Sequence, residues 1–233
     1  MGKNPDAKKP FETFELVVAV LLGLGAVGAS VASYQNGKWN SASSLAYGEA
    51  NARTSNAAAV FNFAVTLMSS DNAMDVQARQ LLLSAAAASD PLARLRDLNL
   101  INYLYKNRMS DAGQEALGVP AEYRPVNGKP QPPDMPLELI QRIQQRDLDQ
   151  KYIEQMLGPA NQAFGEAKKK FDEGRTAGDQ GDEFSQVSLF YAVSLFITGV
   201  AMVLKSGIRW AFVSIGLVVF GYATFRLLTA PWY

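Results

Sequence analysis

The sequence predicts an all-α integral membrane protein with three transmembrane helices, one N-terminal and two in a C-terminal hairpin, around a helical extramembrane domain. Two observations carry this prediction. Three long apolar stretches contain no charged residue, and the region between the first and second is polar. Helices of that length and composition suit a hydrocarbon core roughly 30 Å thick, and they lack the polar stripe usual in buried helices of globular proteins.

Residues 1–34 hold the N-terminal tail and the first predicted span, Leu16–Ser33. A cleavable signal is the alternative, because Lys3, Lys8 and Lys9 precede an apolar stretch that ends in small residues. Acidic Glu12 and Glu15 interrupt this basic region, and the apolar stretch is long for a signal. We therefore expect a retained anchor.

Small residues recur along the first span at spacings that place them on neighbouring helix faces. Small side chains let helices approach closely in lipid, where packing drives association. The predicted helix-packing residues are Gly23, Gly25, Gly28, Ala29 and Ala32. They fit either a seam between copies of the chain or contact with the chain's own C-terminal hairpin.

Residues 35–186 form the predicted extramembrane domain, in which helical patterns dominate. An amphipathic helix over residues 39–69 can extend the first span. Asp71 or Asn72 can cap a second helix that ends at Ser89, and the Asp90-Pro91 pair then opens another.

Six prolines between Val119 and Pro136 predict a loop, since they remove too many backbone donors for a helix or central strand. Docking on an aromatic groove is a second interpretation of this stretch. Beyond it, Leu137–Gly174 predicts a helical arm with a break at Gly158-Pro159. Gly178–Glu183 lacks the spacing of a calcium loop and predicts a flexible turn.

Residues 187–233 form the predicted C-terminal hairpin, with spans over Val187–Leu204 and Trp210–Phe225. Only a short basic turn, which contains Lys205 and Arg209, joins them, so the two helices must be antiparallel neighbours. Trp210 at one end, and Trp232 and Tyr233 at the other, are typical of the two membrane interfaces.

Composition limits the chemistry that the chain can perform. The 22 Lys and Arg residues equal the 22 Asp and Glu residues, so no charge excess indicates a nucleic-acid partner. Histidine and cysteine are absent, which removes the commonest general base, the commonest metal ligands and every disulfide. We therefore expect no catalytic residue, no cofactor and no metal.

The short basic segments predict orientation. Three crossings place the N-terminal tail and the hairpin turn on one side, and the positive-inside rule assigns that side to the cytoplasm. The sequence thus predicts a multi-pass protein of the bacterial inner (plasma) membrane with its middle domain outside.

The ends of the chain resemble an uncharacterised bacterial membrane family known as domain of unknown function 4337. The likeness lies in the first span with the Trp and small-residue helix that follows, residues 39–59, and in the GDEF motif at 181–184 before an apolar span. It continues through the basic turn with Trp210 and a last span that contains Gly216 and Gly221. The resemblance implies architecture only, because the family has no established activity.

These features predict a non-enzymatic, membrane-anchored structural or interaction protein. Its expected partners are the lipid bilayer and either further copies of itself or a membrane complex that it serves as accessory subunit. An oligomeric pore or transport component is the alternative.

Overall fold

A computed structural model describes residues 13–126, 130–204 and 207–233, and the regular structure within these ranges is helical. This confirms the predicted all-α class. The helices of these ranges are α1 (Thr13–Ala87), α2 (Pro91–Tyr103), a π-helical turn (Leu104–Arg108), α3 (Asp111–Ala116), a 3₁₀ turn (Ala121–Tyr123), α4 (Leu137–Ile143), α5 (Gln150–Val203) and α6 (Ile208–Thr229). Of these, α1, α5 and α6 are long and apolar enough to cross a membrane.

The first helix is much longer than a membrane crossing requires. α1 has 75 residues, whereas a crossing needs about 20. The predicted start of a new helix at Asp71 or Asn72 is wrong, because α1 continues through both residues. Instead of capping its own helix, the Asp71 carboxylate accepts a hydrogen bond from the backbone N–H of Ser110 at 2.7 Å.

The long fifth helix removes two predicted breaks. α5 runs through Gly158-Pro159 and through the predicted turn at residues 178–183. The helical arm predicted from Leu137 is instead interrupted earlier, between the end of α4 at Ile143 and the start of α5 at Gln150. Gly158 has no Cβ to clash with the proline ring, which lets the helix pass this point. The glycines of the predicted turn are helical because they lie against α1.

Other local predictions hold. The predicted opening of a helix at Asp90-Pro91 is confirmed: α2 begins at Pro91, and the Asp90 side chain accepts a hydrogen bond from the Leu92 N–H at 3.0 Å. In the described part of residues 119–136, only the short 3₁₀ turn is regular. Gly128, Lys205 and the lysines of the N-terminal tail lie outside the described residues.

The chain divides into two compact units. The first contains residues 1–50 and 169–233, and the second contains residues 51–168. The predicted domain boundaries at residues 34/35 and 186/187 concern the membrane and stay predictions.

In the first unit α1 and α5 are antiparallel and very close. The Ser43 hydroxyl donates to the Gly174 carbonyl at 2.7 Å, which places the two backbones within reach of one short side chain. Gly181 lies against Asn40, so that a Cβ atom built on this glycine would lie 2.8 Å from the amide oxygen. Glycine at these α5 positions therefore permits the close approach.

The second unit repeats the use of small residues and adds an apolar core. Ala57 and Ala64 of α1, seven residues apart, are buried, as are Ala160 and Ala167 of α5. The shorter helices and the segments between them pack on α1 around an apolar core of Ala78, Ile101, Leu104, Tyr105, Met109, Leu117, Val119, Met135, Ile140 and Ile143. The ends of the proline-rich segment, Val119 and Met135, are thus part of this core.

Gly181→Leu should destabilise the protein, because the new side chain meets Asn40 of α1. We expect a loss of about 1–3 kcal/mol in the free energy of unfolding, the usual range for overpacking. Chemical denaturation in detergent, followed by circular dichroism, measures the loss. Gly165→Leu is the control, since this glycine of α5 has open space around its Cα; equal stability of the two variants would contradict the close contact.

Candidate functional site

Two of the predicted packing residues of α1 lie directly against α5. A Cβ atom on Gly25 would lie 2.6 Å from a methyl carbon of Leu195, and one on Gly28 would lie 2.5 Å from the Tyr191 ring. Neither distance is compatible with a larger side chain in this arrangement. These glycines therefore provide space for side chains of the chain's own C-terminal hairpin.

The other three predicted packing residues differ from one another. Ala32 is fully buried, and the partly buried Ala29 packs against the same apolar cluster. Gly23 has no atom within 4 Å of the position that a Cβ would occupy. The structure thus brings four of the five into intrachain packing, and a contact of α1 with a second copy stays a prediction.

Polar side chains join the three helices inside the first unit. The hydroxyls of Ser33 and Ser188 lie 3.1 Å apart and link α1 to α5. α5 is linked to α6 by the Ser194 hydroxyl, which donates to the Gly216 carbonyl at 2.8 Å.

A second link between α5 and α6 fixes their direction. The hydroxyls of Tyr191 and Thr224 lie 3.0 Å apart. Together with the link from Ser194 to Gly216, this pairing runs in antiparallel register, as expected for a hairpin.

Aromatic residues gather at one end of the first unit. Phe14 packs edge-to-face on Trp210 with ring centroids 5.2 Å apart, and the Arg209 guanidinium lies 4.3 Å from the Phe14 ring centre. The start of α1 and the start of α6 are therefore neighbours.

The opposite end carries its own aromatic group. The Trp39 indole donates to the Pro231 carbonyl at 3.0 Å, and the Tyr233 N–H donates to the Gln35 side chain at 3.1 Å. Arg226 forms an ion pair with Glu183 at 2.7 Å. Between the two ends, the 22 residues of α6 extend about 33 Å.

The first unit exposes large apolar side chains, in contrast to an ordinary globular domain, and buries several polar ones. Phe196, Val218 and Leu228 are each more than 70% exposed, whereas Ser194 and Thr198 are almost fully buried. In the apolar 18-residue stretches of α1, α5 and α6, only 22–28% of the residues are buried. Water-soluble monomers rarely expose so large an apolar surface.

A buried carboxylate organises the second unit. Asp71 of α1 is 1% exposed. It accepts hydrogen bonds from the Tyr152 hydroxyl at 2.6 Å and from both the N–H and the hydroxyl of Ser110. Asp71 thereby holds the starts of α3 and α5 against α1.

A second carboxylate lies one turn further along α1. Asp75 accepts from the Tyr105 hydroxyl at 3.1 Å and pairs with Arg79 at 2.8 Å. Arg79 also donates to the Arg146 carbonyl and to Asp147. The chain between α4 and α5 is thus tied to α1.

Both tyrosines of this network are held in their neutral form. Burial raises the pKa of the Tyr105 phenol above its usual range, and the nearby Asp75 carboxylate raises it further. Burial also raises the pKa of the Tyr152 phenol, with a contribution from its hydrogen bond to Asp71. Each phenol therefore remains a hydrogen-bond donor in alkaline solution, where an exposed tyrosine would ionise.

A buried lysine holds the proline-rich segment. The side chain of Lys106, in the π-helical turn, is 6% exposed. Its ammonium group donates to the carbonyls of Pro132 and Pro133 and to the Asp134 carboxylate, at 2.7, 3.1 and 3.1 Å. The charge is satisfied almost entirely by this one segment of the chain.

No family model, curated protein or solved structure matches the chain. The resemblance to domain of unknown function 4337 accordingly stays a prediction. Among the described residues, no group of three His, Cys, Asp or Glu side chains is placed to hold a metal ion. The buried charges of the second unit are instead bound to backbone, hydroxyl and opposite charges of the same unit.

The polar network of the second unit was not predicted from the sequence, because most of its members are far apart in the chain. Asp71 and Asp75 lie one helical turn apart, but Ser69, Ser70 and Asn72 flank Asp71, so the local sequence does not mark the two carboxylates as buried. Apart from Arg79, four residues after Asp75, their partners lie 30 to 81 positions further on, and no periodicity of α1 identifies them.

Asp71→Ala should strongly destabilise the second unit, because it leaves the Tyr152 hydroxyl and the Ser110 N–H buried without an acceptor. We expect a loss of about 3 kcal/mol in the free energy of unfolding. Urea titration in detergent measures it. Glu122→Ala, at an exposed acidic residue of the same unit, is the control; a loss below about 0.5 kcal/mol for Asp71→Ala would refute the structural role.

Proposed function

We propose that the protein is a membrane-anchored structural or interaction protein, in which the first part of α1, the last part of α5 and α6 cross the bilayer. The observation that carries the proposal is the exposed apolar surface of the first unit, whose helices are joined inside by apolar contacts and by hydroxyl hydrogen bonds. Exposed leucine, valine and phenylalanine side chains carry no free-energy cost in lipid, whereas exposing them to water is unfavourable.

The two aromatic ends of the first unit support the same placement. Trp210 marks one end of α6, and Trp232 and Tyr233 mark the other, about 33 Å apart along the helix. Tryptophan and tyrosine prefer the membrane interfaces, and the hydrocarbon core between them is roughly 30 Å thick. Arg226 then lies at an interface, where its pairing with Glu183 neutralises it.

A non-catalytic role is supported by the use of the buried polar groups. Asp71, Asp75 and Lys106 bind neighbouring segments of the second unit, and each makes more than one hydrogen bond or ion pair. Such groups stabilise a particular shape. We therefore propose that the second unit presents a fixed surface to a partner complex or to further copies of the chain.

The proposed location is the inner (plasma) membrane of a bacterium, with the N-terminal tail in the cytoplasm and the second unit outside. Arg209 at the start of α6 lies beside Phe14 at the start of α1, in keeping with the expectation that the tail and the hairpin turn share a side. An oligomeric pore is the alternative. The apolar cluster of Phe14, Val18, Leu21, Ala201 and Val213 fills one part of the bundle, so a conducting path would require several copies.

If the three helices span a membrane, the protein should remain in the membrane pellet after an alkaline carbonate wash and leave it only with detergent. Release by carbonate alone would refute the proposed anchoring. Proteoliposomes of the purified protein then separate the two functions, since ion flux supports the pore and a closed bilayer supports the interaction role.

The natural absence of cysteine allows a direct test of orientation. A membrane-impermeant maleimide should label Gln131→Cys, in the exposed proline-rich segment, on intact spheroplasts. The matched control is Gly207→Cys in the hairpin turn, which should react only after lysis. The reverse pattern would overturn the proposed orientation, and labelling of both residues on intact spheroplasts would overturn the three crossings.

Self-association can be separated from folding with a matched pair of glycines. Gly25→Leu should lower the free energy of unfolding by about 1–3 kcal/mol, because its side chain meets Leu195. Gly23→Leu faces open space and should leave stability unchanged, but it should lower the particle mass measured by light scattering in detergent. An unchanged mass would count against a seam between copies at Gly23.

A further inference from the structure

The proline-rich segment of the second unit carries a surface that its own core does not use. Residues 130–136 read Pro-Gln-Pro-Pro-Asp-Met-Pro. Proline fixes φ near −65° and drives the preceding residue away from the α region, so this composition favours a polyproline II helix. Pro136 has φ −67° and ψ 155°, which are polyproline II angles.

The prolines of this segment divide into outward and inward positions. Pro130, Pro133 and Pro136 are exposed and recur at every third residue. Pro132 is partly buried, and Met135 is 4% exposed and belongs to the core of the second unit. Because polyproline II has three residues per turn, the exposed prolines form one continuous edge.

The inward side of the segment is fixed to the core. Lys106 donates to two successive carbonyls, those of Pro132 and Pro133. The Met135 N–H donates to the Asn102 side chain at 2.7 Å. These contacts hold the segment from one side, and the Pro136 carbonyl accepts hydrogen bonds from the Leu139 and Ile140 N–H groups at the start of α4. The exposed proline rings lie on the outer edge.

We propose that Pro130, Pro133 and Pro136 form a docking ridge for a protein whose groove is lined by tyrosine and tryptophan side chains. Grooves of this kind recognise polyproline II ligands by packing rings between successive prolines. The ridge is ordered before binding, which lowers the conformational entropy that association must overcome.

Charge complementarity adds one property to the partner. Glu138 at the start of α4 is exposed, whereas the Asp134 carboxylate, although 68% exposed, is already paired with the Lys106 ammonium at 3.1 Å. A basic group beside the aromatic groove matches the Glu138 carboxylate. The inference deepens the proposed interaction role and rests on it, but it does not depend on the membrane placement.

The ridge can be tested in the full-length protein within its cells of origin. A photoreactive benzoylphenylalanine at Gln131, between the ridge prolines, should cross-link to one protein of defined mass. Pro133→Ala should reduce the adduct about fivefold or more, because it removes the central proline of the ridge. Pro125→Ala is the matched control, since it removes a proline of the same loop outside the ridge and should leave the adduct unchanged.

Competition with purified protein decides whether the ridge itself is recognised. The wild-type chain in detergent should displace the captured partner, and the Pro133→Ala chain should compete about fivefold less well. Pro130→Ala gives a second, independent variant should Pro133→Ala fail to reach the wild-type unfolding midpoint. Mutation of the partner's groove aromatics should abolish the adduct.

Several results would overturn the ridge. They are the absence of an adduct, an adduct only with lipid or with a second copy, and an adduct that is equally strong in the Pro125→Ala and Pro133→Ala variants. If the protein stays in the membrane after the carbonate wash but gives no proline-dependent adduct, the ridge is refuted and the membrane anchor stands. If carbonate releases the protein but the adduct depends on the prolines, the anchor is refuted and the ridge stands.

Discussion

The close antiparallel contact between α1 and α5 is the constraint on which the rest of the structure depends. Gly28, Gly174 and Gly181 remove side-chain volume where the two helices meet in the first unit, and buried alanines do the same in the second. With larger residues the hydrogen bond from Ser43 to Gly174 could not form. The glycines lower the intrinsic stability of each helix, so the contact that they permit must supply the compensation.

The two units share α1 and α5 but bury different kinds of polar group. In the first unit the polar groups that lie inside are neutral hydroxyls and amides, apart from the ion pair at one end. In the second unit full charges are buried, and each is surrounded by several donors or acceptors. Asp71 with three donors and Lys106 with three acceptors illustrate why such charges are tolerated, since a buried ion is stable only when its hydrogen-bonding capacity is met.

Much of the helical architecture follows from the sequence, but the helix boundaries do not. The apolar stretches predicted the apolar part of each of the three long helices but not the length of α1 and α5. Asp90-Pro91 predicted the start of α2, because these features act locally. Asp71, Pro159 and the glycines at 178 and 181 are local signs of a helix end. Tertiary contacts override them at Asp71, Gly178 and Gly181, whereas at Pro159 the preceding Gly158 removes the clash with the proline ring. The same reason explains why Gly25 was identified as a packing residue while its neighbour, Leu195, was not: spacing identifies a face of a helix, not what covers it.

The contact between Gln35 and Tyr233 joins residues 198 positions apart, which has a consequence for biosynthesis. α1 leaves the ribosome long before the last part of α5, so the first helix must persist without Leu195 and Tyr191, which later fill the space beside Gly25 and Gly28. During that interval its glycine face is open to other nascent chains. Contacts between residues so far apart in the chain form late. The time between synthesis of the first and last helices is therefore the period in which this protein is most exposed to misassembly.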